Sequence, residues 1–239
     1  MKAIVLAGGR GTRLAPYTTI LPKPLMPIDD MPILEVLLRQ MKRAGINHVV
    51  LTVGHLASLL QAYFGDGEKW GIDITYSYEQ QPLGTAGPIA MVQGLEKTFL
   101  VINGDVLTTL NLKKLFAFHK KKGGIATIAA HRRQVKIDLG VIQWGDDDRI
   151  AGYIEKPTND YTVSMGIYVF EPRILDYLKV GECLDFPDLI LKLIANGERV
   201  NGFTFDGYWM DLGRPDDYGQ ANQDFIAMKK QFLPEEISK

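Results

Sequence analysis

Short apolar segments alternate with amphipathic segments through the first half of the chain, and this alternation restricts the fold more than any other feature. Strand-length segments with apolar residues at most positions are typical of strands buried on both faces. An apolar residue at every third or fourth position predicts a helix. The predicted strands are residues 2–7, 48–53, 72–78 and 98–102, and the predicted helices are residues 33–44, 57–64 and 86–95. We therefore predict an α/β protein with a mostly parallel sheet and helices on both faces.

The second half of the chain begins with a predicted helix at residues 112–122 and continues with β-like runs separated by loops. The predicted strands are residues 125–130, 140–144, 150–155, 163–170 and 200–205, and the predicted helices are residues 172–178, 186–196 and a last helix from residue 215. No internal repeat, low-complexity segment or linker interrupts the sequence. We predict a single domain over residues 1–239, in which residues 111–239 form an elaborated second half.

The charge and the composition exclude several classes of protein. The chain has 27 Lys and Arg against 28 Asp and Glu, so its net charge of −1 does not favour nucleic-acid binding. The single cysteine, Cys183, excludes a disulfide framework and a cysteine-based zinc site. No apolar run approaches the roughly 20 residues of a membrane helix, and the N-terminal run is too short for a signal peptide. We expect a soluble, cytoplasmic protein without a membrane partner.

A glycine-rich loop, residues 8–14, follows the first predicted strand. The carboxyl end of a strand is where α/β sheets bind ligands, and glycines let backbone N–H groups approach phosphate oxygens. Arg10 and Arg13 favour phosphate because guanidinium groups match its geometry. The dinucleotide-binding pattern fails because Leu14 stands where its third glycine belongs, and the Walker pattern fails because the chain has no Gly-Lys pair. The loop therefore predicts a phosphate site of another kind.

Three charged residues outside the glycine loop are further candidates for phosphate and metal binding. Lys23 lies between two prolines, which restrict the direction of its side chain. Asp105 follows the fourth predicted strand, and Asp211 precedes the last predicted helix. Each aspartate alone also has a structural explanation, a turn for Asp105 and a helix start for Asp211, but two carboxylates beside a phosphate loop are a set that Mg²⁺ uses. The sequence leaves the distance between the two aspartates open.

Taken together, these segments resemble the sugar-1-phosphate nucleotidyltransferases, and they look most like the mannose-1-phosphate guanylyltransferase branch. The resemblance rests on seven segments in the order and spacing of that family. The segments are residues 6–14 (LAGGRGTRL), 22–25 (PKPL), 82–87 (PLGTAG), 103–105 (NGD), 155–157 (EKP), 166–168 (GIY) and 209–213 (WMDLG).

The resemblance implies a Rossmann-like three-layer sandwich in which residues 1–110 bind the nucleotide and residues 111–239 bind the sugar and form a homodimer. It implies that a sugar-1-phosphate attacks a nucleoside triphosphate, giving a nucleoside-diphosphate sugar and pyrophosphate with Mg²⁺ as cofactor. The attacking phosphate is already ionised, so the reaction needs no protein nucleophile or general base. The four histidines therefore need no catalytic role, and catalysis would consist of in-line positioning and charge stabilisation.

The resemblance also implies roles for individual residues. The implied catalytic residues are Arg13, Lys23, Asp105 and Asp211, of which Asp105 and Asp211 would be the Mg²⁺ ligands. The implied nucleotide-binding residues are Leu6, Ala7, Gly8, Gly9, Gly11, Thr12, Arg13, Glu79, Pro82, Gly84, Thr85 and Asp105, with residues 79–84 against the base. The implied sugar-phosphate-binding residues are Lys23, Asn103, Gly140, Glu155, Lys156, Ser164 and Gly166.

The substrates follow less directly from the sequence. Residues 82–87 and the Asp-Leu-Gly-Arg-Pro run at residues 211–215 favour GTP with mannose-1-phosphate or a related hexose- or heptose-1-phosphate. Leu139 and Ser164 depart from residues that are common in the sugar pocket of this family, so the sugar stays open. The alternatives are a uridylyl- or thymidylyltransferase acting on glucose-1-phosphate, a non-catalytic regulatory subunit that binds a nucleotide sugar, and a nicotinamide oxidoreductase.

Overall fold

The computed structural model of the chain describes residues 1–234. The strands are β1 (Lys2–Ala7), β2 (Pro27–Ile28), β3 (Met31–Pro32), β4 (His48–Val53), β5 (Asp73–Tyr78), β6 (Phe99–Asn103), β7 (Val106–Thr108), β8 (Ala126–Lys136), β9 (Val141–Trp144), β10 (Ile150–Ile154), β11 (Thr158–Phe170), β12 (Val200–Phe205) and β13 (Trp209–Asp211). The α-helices are α1 (Ile33–Ala44), α2 (Ala57–Phe64), α3 (Leu112–Lys122), α4 (Phe186–Ala195) and α5 (Pro215–Phe232).

Within residues 1–234, seven strands form one sheet in the order β12-β8-β11-β6-β1-β4-β5. Strands β6, β1, β4 and β5 are parallel to one another, and β12 is parallel to β8. Strand β11 is antiparallel to both of its neighbours, β6 and β8. The predicted α/β class with a mostly parallel central sheet is confirmed, and β11 joins the two parallel parts.

Both faces of the sheet are covered, which explains the continuous apolar character of β1. Successive side chains of a strand point to opposite faces. On one face Val5 packs in a core with Leu37 and Met41 of α1, whereas on the other face Ile4 packs with Leu189 of α4. These side chains are at most 2% exposed. The apolar run of β1 therefore supplies both layers of the core.

The helix predicted for residues 86–95 is wrong, because the segment forms only a short 3₁₀ helix, Gly87–Met91. The N–H groups of Ala86 and Gly87 donate to the carbonyl of Leu184, at 2.9 and 3.1 Å, so distant contacts set the course of the chain here. Gly94 then adopts a φ of 73°, which a continuing helix does not allow. The helix predicted at residues 172–178 is likewise a 3₁₀ helix, Pro172–Tyr177.

Strands β8 and β11 are longer than predicted: β8 continues to Lys136, and β11 begins at Thr158. Their outer halves pair with each other from Lys136 opposite Thr158 to Arg132 opposite Thr162, and the β9–β10 hairpin lies between them in sequence. Most side chains of residues 132–162 are exposed. We call this segment, residues 132–162, the arm.

A second small ribbon closes the fold near the end of β6. Strand β7 pairs antiparallel with β13, with Val106 opposite Asp211. Helix α5 follows β13 and packs Phe225 against Leu14 and Ile28, which places α5 beside the first loop. Over residues 1–234, none of the helices is both long and apolar enough to cross a membrane.

Candidate active site

A cleft of about 840 Å³ opens at the carboxyl ends of β1, β4, β5 and β6. The loops after parallel strands meet at one edge of a sheet, so distant segments converge there. The lining includes all four predicted catalytic residues, Arg13, Lys23, Asp105 and Asp211. It also includes every predicted nucleotide-binding residue: Leu6, Ala7, Gly8, Gly9, Gly11, Thr12, Arg13, Glu79, Pro82, Gly84, Thr85 and Asp105.

The glycine-rich loop after β1 is a tight turn held through a carbonyl group. Gly11 has a φ of 62°, in the left-handed region, and a Cβ there would lie 2.9 Å from Cγ2 of Thr18. The Thr18 hydroxyl donates to the Gly11 carbonyl at 2.8 Å, and the Leu14 N–H donates to the same oxygen at 2.8 Å. Both the backbone angle and the close contact therefore require glycine at this position.

Glu79 follows β5 and reaches across the end of β4 towards β1. Gly8 makes room for this side chain, and Gly54 in turn makes room for the backbone of Gly8. A Cβ at Gly8 would lie 2.5 Å from Glu79 Oε1, and a Cβ at Gly54 would lie 3.1 Å from the Gly8 carbonyl oxygen. The Leu83 N–H donates to Glu79 Oε2 at 3.3 Å. Burial raises the pKa of Glu79, and the hydrogen bond from Leu83 opposes this shift.

Lys23 begins a one-turn 3₁₀ helix, Lys23–Leu25, in the floor of the cleft. The flanking Pro22 and Pro24 restrict the backbone, and the Leu25 N–H donates to the Pro22 carbonyl at 2.8 Å. The Lys23 side chain is only 10% exposed. The segment therefore holds the base of this side chain in place and directs its ammonium group into the cleft.

Asp105 and Asp211 both face the Lys23 ammonium group. Lys23 Nζ contacts Asp105 Oδ2 and lies 3.5 Å from Asp211 Oδ1. The pairing of Val106 with Asp211 brings the two carboxylates together, and the Leu212 N–H donates to the Asp105 carbonyl at 3.1 Å. Burial raises the pKa of Asp105; Lys23 lowers this pKa, and the charge of Asp211 raises it further.

The two carboxylates fit a divalent cation that also binds a phosphate. Asp105 Oδ1 is buried and has no hydrogen-bond partner within the described residues 1–234, so it is available to a ligand. Mg²⁺ typically takes one or two carboxylates, substrate phosphate oxygens and waters. No group of three or more His, Cys, Asp or Glu in the described part of the chain could hold a metal. The donor set therefore suits an ion shared between protein and substrate.

Arg13 is supported by the segment that carries Asp211. A Cβ at Gly213 would lie 2.9 Å from Arg13 Nη2 and 3.1 Å from its Cζ. The guanidinium group therefore packs directly on the backbone of Gly213, two residues after Asp211. Arg13 and Lys23 place two positive side chains in the same cleft.

Residues 82–85 form one wall of the cleft and are held from behind by residues 184–186. Gly84 has a φ of 74°, and a Cβ there would lie 2.6 Å from the Leu184 carbonyl oxygen. The N–H and the hydroxyl of Thr85 donate to Asp185 Oδ1 at 2.9 and 3.0 Å. In the structure Gly84 is required by the contact with Leu184, and the Thr85 hydroxyl secures the wall. Their contacts with a nucleotide stay a prediction.

The predicted sugar-phosphate residues fall into separate groups. Lys23 and Asn103 line the cleft, and Gly166 packs on Asn103, because a Cβ at Gly166 would lie 2.5 Å from Asn103 Nδ2. The Gly166 N–H donates to Ser164 Oγ at 3.3 Å. Five predicted residues are not among the described residues that line the cleft: Ser164 and Gly166 on β11, and Gly140, Glu155 and Lys156 in the arm. Their role in binding a sugar stays a prediction.

Several residues that line the cleft were not predicted from the sequence, among them Thr52, Gly54 and His55. Gly54 and His55 follow β4 as the glycine loop follows β1, so the same reasoning about strand ends would have found them. The His55 N–H donates to the Gly8 carbonyl at 3.4 Å, and its Nε2 lies 3.3 Å from the Thr18 carbonyl oxygen. His55 therefore contacts the glycine loop from the neighbouring strand.

Comparison with known proteins relates the whole of this arrangement to one family. A family model described as nucleotidyl transferase matches residues 2–227. A UTP–glucose-1-phosphate uridylyltransferase from Synechocystis sp. is 35% identical over 241 aligned residues, which cover 92% of this chain and 62% of that protein. A mannose-1-phosphate guanylyltransferase from Mycobacterium tuberculosis is 35% identical over 230 aligned residues, which cover 94% of this chain and 64% of that protein. The chain thus spans less than two thirds of the length of both relatives.

A solved structure supports the same fold. The structure of a UDP-glucose pyrophosphorylase complexed with UDP-glucose matches with a TM-score of 0.72 and 23% sequence identity. The match covers 95% of this chain and 98% of that chain. At this level of identity the likeness concerns the fold, which is a Rossmann-like α/β arrangement in both proteins.

Proposed function

The chain belongs to the nucleotidyl transferase family, and we propose that it joins a nucleoside triphosphate to a sugar-1-phosphate, giving a nucleoside-diphosphate sugar and pyrophosphate. The observation that carries this proposal is the position of Lys23 between Asp105 and Asp211, at the floor of the cleft that the glycine loop borders. This set has cations for phosphate groups and carboxylates for a metal ion. Positive side chains and a metal site are the groups that stabilise the charge of a nucleotidyl transfer.

In this reaction an oxygen of the sugar-1-phosphate attacks the α-phosphorus of the triphosphate, and the bond from that phosphorus to the pyrophosphate breaks. The attacking oxygen is already ionised, so the protein has to position the two substrates and offset their charge. We assign this work to Lys23 and Arg13, whose positive charges line the cleft, and to the backbone of the glycine loop.

We further propose that Asp105 and Asp211 hold Mg²⁺. When bound, the ion supplies positive charge to the phosphate oxygens at the reacting centre. The unpartnered Oδ1 of Asp105, within the described residues, supports this assignment because a buried carboxylate oxygen otherwise remains without a favourable contact. Asp211 contributes from a more open position, with 43% of its side chain exposed against 21% for Asp105.

For the base we propose guanine. Glu79 presents a carboxylate to the cleft, and a carboxylate only accepts hydrogen bonds. The N1–H and the 2-amino group of guanine offer two adjacent donors, whereas uracil and thymine offer one N–H between two carbonyl oxygens. The 35% identity to a guanylyltransferase supports this choice. A uridylyltransferase is equally similar, so uridylyl or thymidylyl transfer is the alternative that the base assay must exclude.

For the sugar we propose mannose-1-phosphate or a related hexose- or heptose-1-phosphate, bound by the second half of the chain. Asn103, which lines the cleft, and Gly166, which packs on it, are the first candidates for this side of the site. The arm that carries Gly140, Glu155 and Lys156 would have to approach the cleft when a sugar phosphate binds. We expect the protein to act as a homodimer in solution.

The experiment that tests the function is a panel assay of pyrophosphate release with Mg²⁺. Each common nucleoside triphosphate is combined with mannose-, glucose- and heptose-1-phosphates. One preferred pair with GTP supports the full proposal. A preference for UTP or dTTP keeps nucleotidyl transfer and rejects the guanine assignment. No release with any pair, from a protein that still binds a nucleotide sugar, indicates the regulatory role instead.

A further inference from the structure

We propose that Lys23 occupies the divalent-cation position of the nucleotide-free protein, so that a metal ion binds only as the Lys23 ammonium group leaves Asp105 and Asp211. The inference rests on the proposed function and adds an order of events to it. Nucleotide phosphates draw Lys23 away from the two carboxylates, and the metal ion takes its place.

The geometry places the ammonium group where the metal ion has to be. Lys23 Nζ contacts Asp105 Oδ2 and lies 3.5 Å from Asp211 Oδ1, so one cation already serves both proposed metal ligands. The group sits within a side chain that is only 10% exposed. A second cation between the same two carboxylates would repel the ammonium group at close range. The two cations therefore compete for a single position.

The Lys23 side chain can leave this position although its backbone cannot. The backbone is restricted by Pro22 and Pro24 and by the 3₁₀ turn that begins at Lys23, whereas the four-carbon stem of a lysine is flexible. The glycine loop lines the same cleft. A phosphate held by that loop would give the ammonium group a new anionic partner, so its release from the aspartates would cost less.

This exchange couples the metal to the nucleotide. In the free protein, a metal ion has to displace an existing ion pair, and this competition lowers the affinity for the metal ion. In the nucleotide complex the displaced ammonium group is paired with phosphate, so metal affinity rises, and by reciprocity the metal raises nucleotide affinity. The device would keep the site from holding a metal ion before the substrate arrives.

The test measures Mn²⁺ binding to the free protein, without nucleotide or sugar, from the electron paramagnetic resonance signal of unbound Mn²⁺. Lys23→Met should bind Mn²⁺ at least about tenfold more tightly than the wild type, because the competing charge is gone. Lys23→Arg, which keeps a positive charge, should bind Mn²⁺ as weakly as the wild type. Adding Asp105→Asn to Lys23→Met should remove the gained affinity. Lys113→Met, on the exposed side of α3, is the matched control and should behave as the wild type.

Equal Mn²⁺ affinity in Lys23→Met and the wild type would overturn the proposal. Because the substitution leaves two carboxylates without their cation, the thermal midpoint of each variant is measured with and without Mn²⁺. If Mn²⁺ raises the thermal midpoint of Lys23→Met more than that of the wild type, the exchange is supported. If Mn²⁺ does not raise the thermal midpoint of Lys23→Met, the exchange is contradicted. The Mn²⁺ measurement contains no substrate and does not depend on activity. If the wild type released no pyrophosphate in the panel assay, that result would count against the proposed function, and the Mn²⁺ affinities would still test the exchange.

Discussion

Asp105 and Asp211 share one cation, the Lys23 ammonium group, although Asp105 belongs to the first half of the chain and Asp211 to the second. Their approach is produced by the β7–β13 ribbon, in which Asp211 stands opposite Val106. The ribbon therefore has a task beyond packing, because a shift of one residue in its register would turn the Asp211 side chain to the other face. We expect loss of either carboxylate to lower the rate of the reaction, by a different factor for each.

The first prediction concerns these two carboxylates. Asp105→Asn should lower kcat by about 10³-fold, and Asp211→Asn by a smaller factor, because removal of a metal-binding charge costs several kcal/mol of stabilisation at the reacting centre. The more exposed Asp211 leaves water able to replace it. Pyrophosphate release under saturating substrates is the measurement. Asp148→Asn, in the exposed turn between β9 and β10, is the control and should keep full activity.

The second prediction concerns the base and its dependence on pH. Glu79→Gln should lower kcat/KM for GTP by about 10–100-fold, since hydrogen bonds to a charged group are worth roughly 1.5–3 kcal/mol. It should raise kcat/KM for UTP, because an amide can both donate to and accept from the uracil edge. Competition between GTP and UTP in one assay measures the change. Glu68→Gln, on an exposed turn, should leave the preference unaltered.

The sign of the pH effect follows from the raised pKa of Glu79. The ionised carboxylate is the form that accepts both guanine donors, so GTP affinity should fall as the pH drops through that pKa. The loss should begin at a higher pH than an ordinary glutamate would produce. The KM for GTP between pH 8 and pH 5 measures it (a range set by the approximate pKa scale of carboxyl groups). Glu79→Gln should remove this dependence, and a profile that survives the substitution would assign it to another group.

Much of the fold was predictable from local patterns, because buried strands and amphipathic helices carry their periodicity within a few residues. The bounds of β1, β4, α1, α2 and α3 agree with the prediction. The helix prediction for residues 86–95 failed because the N–H groups of Ala86 and Gly87 donate to the Leu184 carbonyl. That partner lies about a hundred positions away, and no local pattern reveals it. Local sequence cannot report which distant group satisfies a backbone donor.

The candidate site was predictable in its residue types and only partly in its geometry. The loop after β1 and the residues after β6 were expected at one sheet edge, since parallel strands bring their ends together. The approach of Asp211 was open, because it depends on the pairing of two short strands with weak sequence signals, Val106–Thr108 and Trp209–Asp211. The length of the arm was missed because its strands pair outside the core and carry few buried positions.

The third prediction tests the support of Arg13 by Gly213. Gly213→Ala should place a methyl group where the Arg13 guanidinium lies and push it aside, which should lower kcat/KM by about tenfold, in line with the loss of one charge-assisted contact. The φ of Gly213 is not in the left-handed region, so the free energy of unfolding should change little. Activity and thermal unfolding are measured together.

The control for this substitution lies in α5. A Cβ at Gly219 would meet no atom of the described chain within 4 Å. Gly219→Ala should therefore keep wild-type activity and raise the free energy of unfolding by about 0.5–1 kcal/mol, the usual gain for alanine within a helix. Equal activity losses in the two variants would show that Gly213 does not act through Arg13.

The fourth prediction separates backbone strain from site geometry on the sugar side. Gly166 has a φ of 70°, and a Cβ there would lie 2.5 Å from Asn103 Nδ2, so Gly166→Ala has to strain the backbone and move Asn103. A left-handed alanine costs about 1–2 kcal/mol of stability. Gly181 also has a positive φ, of 80°, but no described atom would meet its Cβ within 4 Å. Gly181→Ala should therefore lose similar stability and keep its kinetics, whereas Gly166→Ala should also raise the KM for the sugar phosphate several-fold, with the KM for the nucleotide unchanged. A matching rise in both Michaelis constants would place Asn103 in the nucleotide part of the cleft.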